Sequence, residues 1–507
     1  MRALSRVPRR TLVDVASCIL PIWLVLVITH TAADADLWGH LRFGADAIAT
    51  RGLALVDRYS FTADTTWINH EWLAEVVLAA CYAAGGAVAL NGLKLTVLAA
   101  LALIVWRAGR RAGGSVFSLV ALSSLVVFAS YTRTQVLRPQ LFSVLFFAML
   151  LALLDLRERR MQSGARPPVG LAAALAGLFG LWTNFHGGWI VGFSTLVTWL
   201  AFDVLERRTL RSIVDSAIVA LAALAATLVN PYGAQQWTFL QQTVGLTRDI
   251  SDWVPFLKLP PLMIAFELVL PAVALVSTFV TRRRPRARDA AVIGMLGFAT
   301  FRVSRIDAFL QIAVGLLMAP AIVDCLKRLE AWLRTFRRLD SPSPVHGLVV
   351  LTVVTASIVV TVPRLGRIYI EGPWTPDPAA VRFLRAEAAN TRVLTWFDWG
   401  EYAIWHLSPA NIQVSMDGRR ETVYSNRVLD AHWSFYKNEP DAASYPEAIG
   451  ADWIWLPKHL PVVAVLQTRG WQPAFESGIS VVLSRKACQP LVATSPSSAV
   501  PAFFPGP

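Results

Sequence analysis

The first long apolar run of the chain, Leu12-Val-Asp-Val-Ala-Ser-Cys-Ile-Leu-Pro-Ile-Trp-Leu-Val-Leu-Val-Ile28, is followed closely by Asp34-Ala-Asp36-Leu-Trp38-Gly-His40-Leu-Arg42. The first stretch approaches the ~20 residues that a helix needs to cross ~30 Å of hydrocarbon. The second, acidic and aromatic, reads as a loop that begins where the membrane ends. Comparable apolar runs recur down the chain and predict helices at 12–31, 76–106, 115–131, 140–156, 168–184, 188–205, 212–229, 261–280, 289–301, 307–325 and 345–363. The sequence is thus that of an α-helical polytopic membrane protein with about eleven transmembrane helices. Gly85-Gly86 interrupts the second of these and divides it into an interfacial segment and a span.

Of the 507 residues, 55% are hydrophobic and 16% charged, with a mean hydropathy of +0.49, whereas soluble proteins carry about 25% charged residues. The net charge of +13 does not describe a nucleic-acid-binding face, because the basic residues are dispersed over alternate loops. One set of loops, Arg107–Arg111, Arg157–Arg166, Glu206–Arg211, Arg282–Arg288 and Lys327–Arg338, holds with the N-terminus about 24 Lys and Arg; the opposite set holds about nine. The positive-inside rule places the rich set in the cytoplasm. An odd number of spans then sends everything after about residue 364 to the non-cytoplasmic side of the cytoplasmic membrane. Met1–Arg10 and the run after it read as a retained signal anchor. Cys18, Cys81, Cys325 and Cys488 have neither zinc-ligand spacing nor the density of a disulfide framework.

Three organisational parts follow: a transmembrane region 1–363 with its acidic first outer loop 32–75, an outer domain 364–487, and a Pro-, Ser- and Ala-rich tail 488–507 expected to be disordered. In the outer domain the apolar runs shorten to strand length, at 392–396, 412–416 and 479–483, and alternate with helix-like stretches such as 377–389. That alternation predicts a small α/β domain.

Candidate chemistry gathers on the outer side. Asp34 and Asp36 can face one cation, with Mg²⁺ or Mn²⁺ suited to such oxygen ligands, or one of them can act as a general base toward an acceptor hydroxyl. The plainer alternative is that they cap the segment that follows. His40, Arg42, His70 and Glu71 give the loop the character of a site floor; His70-Glu71 lacks the second histidine of a zinc signature. Arg133, Arg138, Arg302 and Arg305 lie at the edges of spans, where arginine is costly without a partner or a task; a phosphate suits their guanidinium groups. Asn184 and His186 sit in the turn of a tight hairpin with Gly187 and Gly188. Arg248, Asp249, Asp252 and Trp253 mark a candidate gating segment. In the outer domain, Trp396-Phe397-Asp398-Trp399-Gly400 ends a buried strand in an aromatic–acid–aromatic turn, a shape that can stack a sugar or grip a peptide.

The pattern Asp-x-Asp-Leu-Trp-x-His-Leu-Arg at 34–42, with Asp57-Arg-Tyr-Ser-Phe-Thr62 and His70-Glu-Trp-Leu73, resembles the first outer loop of bacterial GT-C-type membrane glycosyltransferases. The resemblance implies a donor in which a sugar is linked to polyprenyl phosphate, a glycan or protein acceptor, and a catalytic aspartate at Asp34 or Asp36, with Asp36 favoured. Residues 396–400 resemble the Trp-Trp-Asp-Tyr-Gly motif by which oligosaccharyltransferase catalytic subunits recognise their acceptor, although Phe397 and Trp399 depart from it. Tyr131–Gln140 contains none of the acids that bind metal in that family, which leaves a metal-dependent and a metal-free mechanism both open. Two readings from other classes compete with transfer: a lipid or polysaccharide transporter, and a non-catalytic envelope assembly protein that binds a partner through residues 364–487.

Overall fold

Each of the eleven apolar runs is helical in the computed structural model, one of them as two helices, and the structure describes residues 12–163, 169–244, 254–335, 344–372, 374–486, 491–492 and 502–506. The candidate gating residues Arg248, Asp249, Asp252 and Trp253 lie outside the described residues, as does the basic N-terminus. The chain divides into a helical unit, Met1–Thr31 with Val88–Gly366, and a second unit, Ala32–Ala87 with Arg367–Pro507, called the outer unit after the side on which the Lys and Arg pattern predicts it.

In the helical unit, Leu12–Ile28 packs against Val116–Ala129 and Pro344–Leu365, and Val169–Trp182 packs along Leu210–Ala226. Among the described residues, four helices are by themselves long and apolar enough to cross a membrane: Trp72–Arg111, Gln140–Gln162, Trp189–Arg207 and Pro261–Thr281. Shorter apolar helices accompany them. The protein is a multi-pass membrane protein.

Two expectations about this unit need correction. The helix expected to run straight through 307–325 is two helices, bent by 67° across Met318. Pro320 stands in the first turn of the second, where its missing N–H makes a break inexpensive. Arg157 and Arg288, taken as loop charges, are instead buried within helices. Arg157 pairs with Asp203, while Arg288 reaches Glu158 at 3.1 Å and Asp203 at 3.3 Å and lies 3.7 Å over the Trp199 ring. Pairing with carboxylates and an aromatic face is what makes such burial tolerable.

Trp72–Arg111 runs for 40 residues but is non-helical at Gly85 and Gly86. Gly86 adopts φ +56°, a conformation that glycine enters without steric cost. The two units divide just after this break.

The outer unit is built on a six-stranded sheet whose spatial order is Gln413–Val414, Arg392–Thr395, Trp453–Pro457, Ser480–Ser484, Gln472–Glu476 and Leu491–Val492. The first three strands are parallel, and the Gln472–Glu476 and Ser480–Ser484 strands form an antiparallel hairpin. Trp453-Ile-Trp-Leu-Pro457 is buried along its whole length, as the continuous apolar run of a central strand requires. The helix Pro378–Glu387 starts on Asp377, whose Oδ1 accepts from the Ala379 N–H at 2.9 Å, an N-cap in keeping with Pro at the first helical position.

The tail contradicts the expectation of disorder where it is described. Leu491–Val492 extends the sheet, and Ala502–Phe503 pairs with Tyr369–Ile370. Phe504 packs on Trp38, and the Pro505 carbonyl accepts from Trp38 Nε1 at 2.8 Å. Composition pointed to disorder, but two phenylalanines within it have an aromatic surface to bury.

Candidate active site

The first outer loop belongs, by its contacts, to the outer unit. Residues 59–61 run alongside the edge strand: the Val414 N–H donates to the Tyr59 carbonyl at 2.9 Å and the Phe61 N–H to the Val414 carbonyl at 3.1 Å. A little further on, Asp64 accepts from the Ser425 N–H at 2.7 Å and the Ser425 hydroxyl at 2.6 Å. Asp57-Arg-Tyr-Ser-Phe-Thr62 is therefore a clip that adds the loop to the sheet edge and satisfies backbone groups an edge strand would leave open.

Beneath the clip lies an ion-paired core. Arg419 donates to Asp417 through Nε at 2.8 Å and Nη2 at 2.7 Å, and its Nη1 donates to Asp57. The rings of Phe43 and Trp67 each stand 4.7 Å from its guanidinium carbon. Tyr424 Oη donates to the second oxygen of Asp417 at 2.7 Å. Burial alone would raise the Asp417 carboxyl, but Arg419 and these hydrogen bonds hold it below the usual range. It is an anion with every lone pair directed at a donor.

The two leading aspartates part company. Asp34 is buried and its Oδ1 accepts from the Asp36 N–H at 2.8 Å, so it shapes the turn into the helix Leu37–Thr50. Asp36 occupies the N-cap position of that helix without a side-chain capping bond. Its carboxylate is directed elsewhere: a Cβ added to Gly418 would lie 2.3 Å from Asp36 Oδ1 and 2.9 Å from Glu401 Oε1. On the opposite side, a Cβ on Gly39 would lie 2.1 Å from Glu401 Oε2. Asp36 and Glu401 thus meet over backbone bared by two glycines. Burial, and after it the charges of Asp36 and Asp417, hold Glu401 well above the usual glutamate range against the pull of Arg419.

One turn into the helix, His40 Nδ1 lies 3.1 Å from Glu75 Oε1, and the other oxygen of Glu75 accepts from Asn69 Nδ2 at 2.6 Å. Burial would lower the imidazole pKa, but the bond to Glu75 and the charges of Glu75, Glu71 and Asp36 raise it. His70 and Glu71 stand at the rim of this group, 3.6 Å apart. The structure thus gathers Asp36, His40, His70, Glu71 and Glu75 around one helix and its neighbour.

Trp396 and Asp398 occupy the turn expected for them, after Arg392–Thr395 and before the helix Gly400–Leu407. Trp396 packs on Tyr436 and Trp433, and Arg420 lies over Phe397. Burial raises the Asp398 pKa, against a bond from Trp396 and the charge of Arg420.

The arginine candidates lie in the helical unit. Arg133 is buried and engages Asp307 through Nε at 3.0 and 3.1 Å, with Nη2 on the Ser304 carbonyl. The Gln140 side chain donates to the Arg305 carbonyl at 3.3 Å, which fastens the segment holding Arg138 to the one holding Arg302 and Arg305. Arg302 is exposed, and Arg138 and Arg305 are half-buried. His186 is part of its turn: its Nδ1 lies 2.8 Å from the Ser143 hydroxyl and accepts from the Gly188 N–H at 3.0 Å. Asn184 bonds the Gly180 and Val229 carbonyls, each at 2.8 Å.

Sequence reasoning took Asp57 only as part of a loop motif and assigned no role to Glu401, Asp417 or Arg419. The signal available was the Gly-acid pairing in Gly400-Glu401 and Asp417-Gly418: a small residue beside an acid at a strand end marks close approach. Among the described residues, no group of three or more His, Cys, Asp and Glu side chains is arranged to hold a metal ion, and Asp34 already serves the Asp36 backbone. No chemistry below is routed through Mg²⁺ or Mn²⁺.

No protein-family model and no curated protein sequence matches the chain. Solved structures do. The oligosaccharyltransferase of Archaeoglobus fulgidus, in its apo form, aligns with a TM-score of 0.60 at 11% identity, over 88% of this chain and 69% of its own. The same enzyme tethered to an acceptor peptide bearing an NVT sequon aligns at 0.58 and 10% identity, over 97% and 75%. ArnT from Cupriavidus metallidurans, bound to undecaprenyl phosphate, aligns at 0.55 and 14% identity, over 93% and 97%. In fold the chain is remotely similar to the GT-C-type membrane glycosyltransferases.

Proposed function

We propose that the chain is a membrane glycosyltransferase that moves a sugar from a polyprenyl-phosphate-linked donor to a glycan or protein acceptor on the outer face of the cytoplasmic membrane. The observation that carries this reading is the placement of Asp36: a helix-start carboxylate that leaves its own helix uncapped and faces a built, glycine-lined contact with Glu401. In the transfer, the acceptor oxygen forms a bond to the anomeric carbon as the bond from that carbon to the donor phosphate breaks. The electron pair departs with the phosphate, and the acceptor's proton passes to the Asp36 carboxylate. Asp34 shapes the turn rather than taking the proton.

Arg138, Arg302 and Arg305 are the proposed ligands of a lipid phosphate, whose oxygens a guanidinium fork suits, while Arg133 is engaged by Asp307. The fold shared with a protein solved with undecaprenyl phosphate lends support. The distribution of Lys and Arg supports a cytoplasmic N-terminus and an outward-facing outer unit.

The test uses the full-length protein in nanodiscs with a panel of radiolabelled polyprenyl-phosphate sugars and glycan or peptide acceptors. Transfer by the parent, and its loss in Asp36→Asn, is the expected result. A parent inert across the panel, or an Asp36→Asn variant as active as the parent, overturns it. The bent pair Ser304–Leu317 and Ala319–Leu333, with Asp307 and Gln311 buried beside Glu267, favours a second reading, a lipid transporter. Movement of a fluorescent polyprenyl phosphate across proteoliposomes without sugar transfer would select it.

A further inference from the structure

Glu401 has no part in the transfer just described, yet the structure treats its carboxyl with unusual care. It stands second in the helix Gly400–Leu407 and is 4% exposed. Its Oε2 is buried and has no hydrogen-bond partner. Gly39 on one side and Gly418 on the other lack the side chains that would collide with it, at 2.1 Å from Oε2 and 2.9 Å from Oε1. Gly400 is equally constrained, since a Cβ there would lie 2.2 Å from the Met416 carbonyl oxygen; the helix start is thereby pressed onto the Asp417 turn. Two glycines thus make room for one carboxyl, one oxygen of which is buried with no hydrogen-bond partner, and a third lets its helix approach the Asp417 turn.

The neighbours of that carboxyl are mostly acids. Asp36 shares the Gly418 face with it, and both carboxyl oxygens crowd the same missing Cβ, within the ~4–6 Å at which one acid controls the ionisation of another. Asp417 and Glu75 add negative charge, and Arg419 is the one opposing cation among the groups that act on it most strongly. Arg419 is committed to Asp417 and Asp57. His40 stands among the same acids and feels the charges of Glu75, Glu71 and Asp36. Two carboxyls that crowd one Cβ position, one of them with a buried oxygen that no donor reaches, ionise as a pair, and a carboxylic acid beside a carboxylate shares a proton with it.

We propose that Glu401 is the positioning residue of Asp36, the two forming a carboxylic acid–carboxylate pair across Gly418 that keeps Asp36 ionised and aimed. Glu401 donates toward Asp36 and does not contact the reacting atoms. When Asp36 accepts the acceptor's proton, Glu401 keeps its own; the pair then holds two protons and returns one to water before the next turnover. The inference rests on the proposed role of Asp36, and its test separates the two.

The test has an arm independent of turnover. Infrared difference spectra of the full-length protein in nanodiscs, titrated through neutral pH, should show a carboxylic acid C=O band that Glu401→Gln removes. Asp36→Asn should shift the midpoint of that band downward by at least one pH unit, because the neighbouring charge has gone. A band absent from the parent, or a midpoint that Asp36→Asn leaves in place, overturns the pair even if transfer is observed. The second arm is the pH profile of transfer: Glu401→Gln should retain a measurable rate but shift the acid limb, and Glu401→Ala should lose ten-fold or more. A purely structural Glu401 would lower the rate in both variants with the profile unmoved, which also overturns the proposal. A parent without transfer but with the coupled band would overturn the function and leave the pair intact.

Discussion

Arg419 and Asp57 meet through a guanidinium–carboxylate contact although 362 positions separate them in the chain. The contact joins the first loop to the turn that follows the edge strand Gln413–Val414, and Asp417 completes it from the other side. Two carboxylates and one guanidinium are buried together, with three aromatic rings around the cation.

Such a cluster contributes little net stability when whole but is expensive to break, since removing one member strands the others without charge partners. Arg419→Ala is expected to destabilise the outer unit by about 3–5 kcal/mol. Arg419→Lys should recover only part of the loss, because an ammonium does not reproduce the planar fork that meets Asp417 at two atoms. Thermal unfolding in detergent, followed by near-ultraviolet circular dichroism of the clustered aromatics, measures both. Equal unfolding of parent and Arg419→Ala would show that the ion-paired core does not hold the clip.

The same cluster explains what the sequence could disclose. Helices were legible because hydrocarbon imposes one local rule, a long apolar run, and every predicted run is helical. The break at Gly85-Gly86 was legible for a similar reason, since it depends on residues next to each other. Residues 57–64 carry no local sign of their role: they join a sheet edge more than 350 positions away, and only the fold brings Ser60 to Ser415. Glu401 was hidden by the same distance. Its meaning depends on Gly39 as well as Gly418, and of the two only Gly418 stands beside an acid in the sequence. The bend at Met318 escaped because a Pro in the first turn of a helix and a Pro inside one look alike until the helix start is known. Phe503 and Phe504 escaped because composition over a window outweighed two apolar residues with a partner.

His40 supplies a pH-dependent test of the site. Its pairing with Glu75 raises its folded pKa above the ordinary 6.5. The resulting stabilisation is fully present below pH 6.5 and disappears as pH rises through the higher folded value. His40→Gln should therefore melt below the parent at about pH 6, and the difference should shrink toward zero by about pH 9. Differential scanning fluorimetry across that range measures it. A gap that widens with rising pH would mean that the imidazole is neutral in the folded protein and that Glu75 is balanced in some other way.

Asp34 and Asp36 are expected to separate cleanly. Asp34→Ala removes the acceptor for the Asp36 N–H and should cost about 1 kcal/mol of stability, the usual effect of losing a helix-start contact, with transfer reduced in parallel as Asp36 loses its support. Asp36→Asn should leave the melting temperature within about one degree while transfer falls about 10²–10⁴-fold, the range for a removed general base. Melting curves and single-turnover rates on the same preparations distinguish the two. An Asp34→Asn variant that loses all transfer at unchanged stability would reassign the base to Asp34.

The arginines of the helical unit should also divide. Arg133 is already engaged by Asp307, so Arg133→Ala should unfold the helical unit at lower temperature, by about 3–5 kcal/mol, through the carboxylate left behind. Removing Asp307 as well, in Arg133→Ala with Asp307→Asn, should restore much of that loss, because the uncompensated charge is gone. Arg138→Ala and Arg305→Ala should instead weaken binding of a polyprenyl phosphate ten-fold or more, with melting changed far less than in Arg133→Ala. Native mass spectrometry with undecaprenyl phosphate reads the affinity, and the same lipid lacking its phosphate controls for the hydrocarbon tail. If Arg138→Ala and Arg305→Ala bind both lipids as the parent does, the phosphate is held elsewhere, and the role of these side chains is confined to fastening residues 131–140 against 302–307.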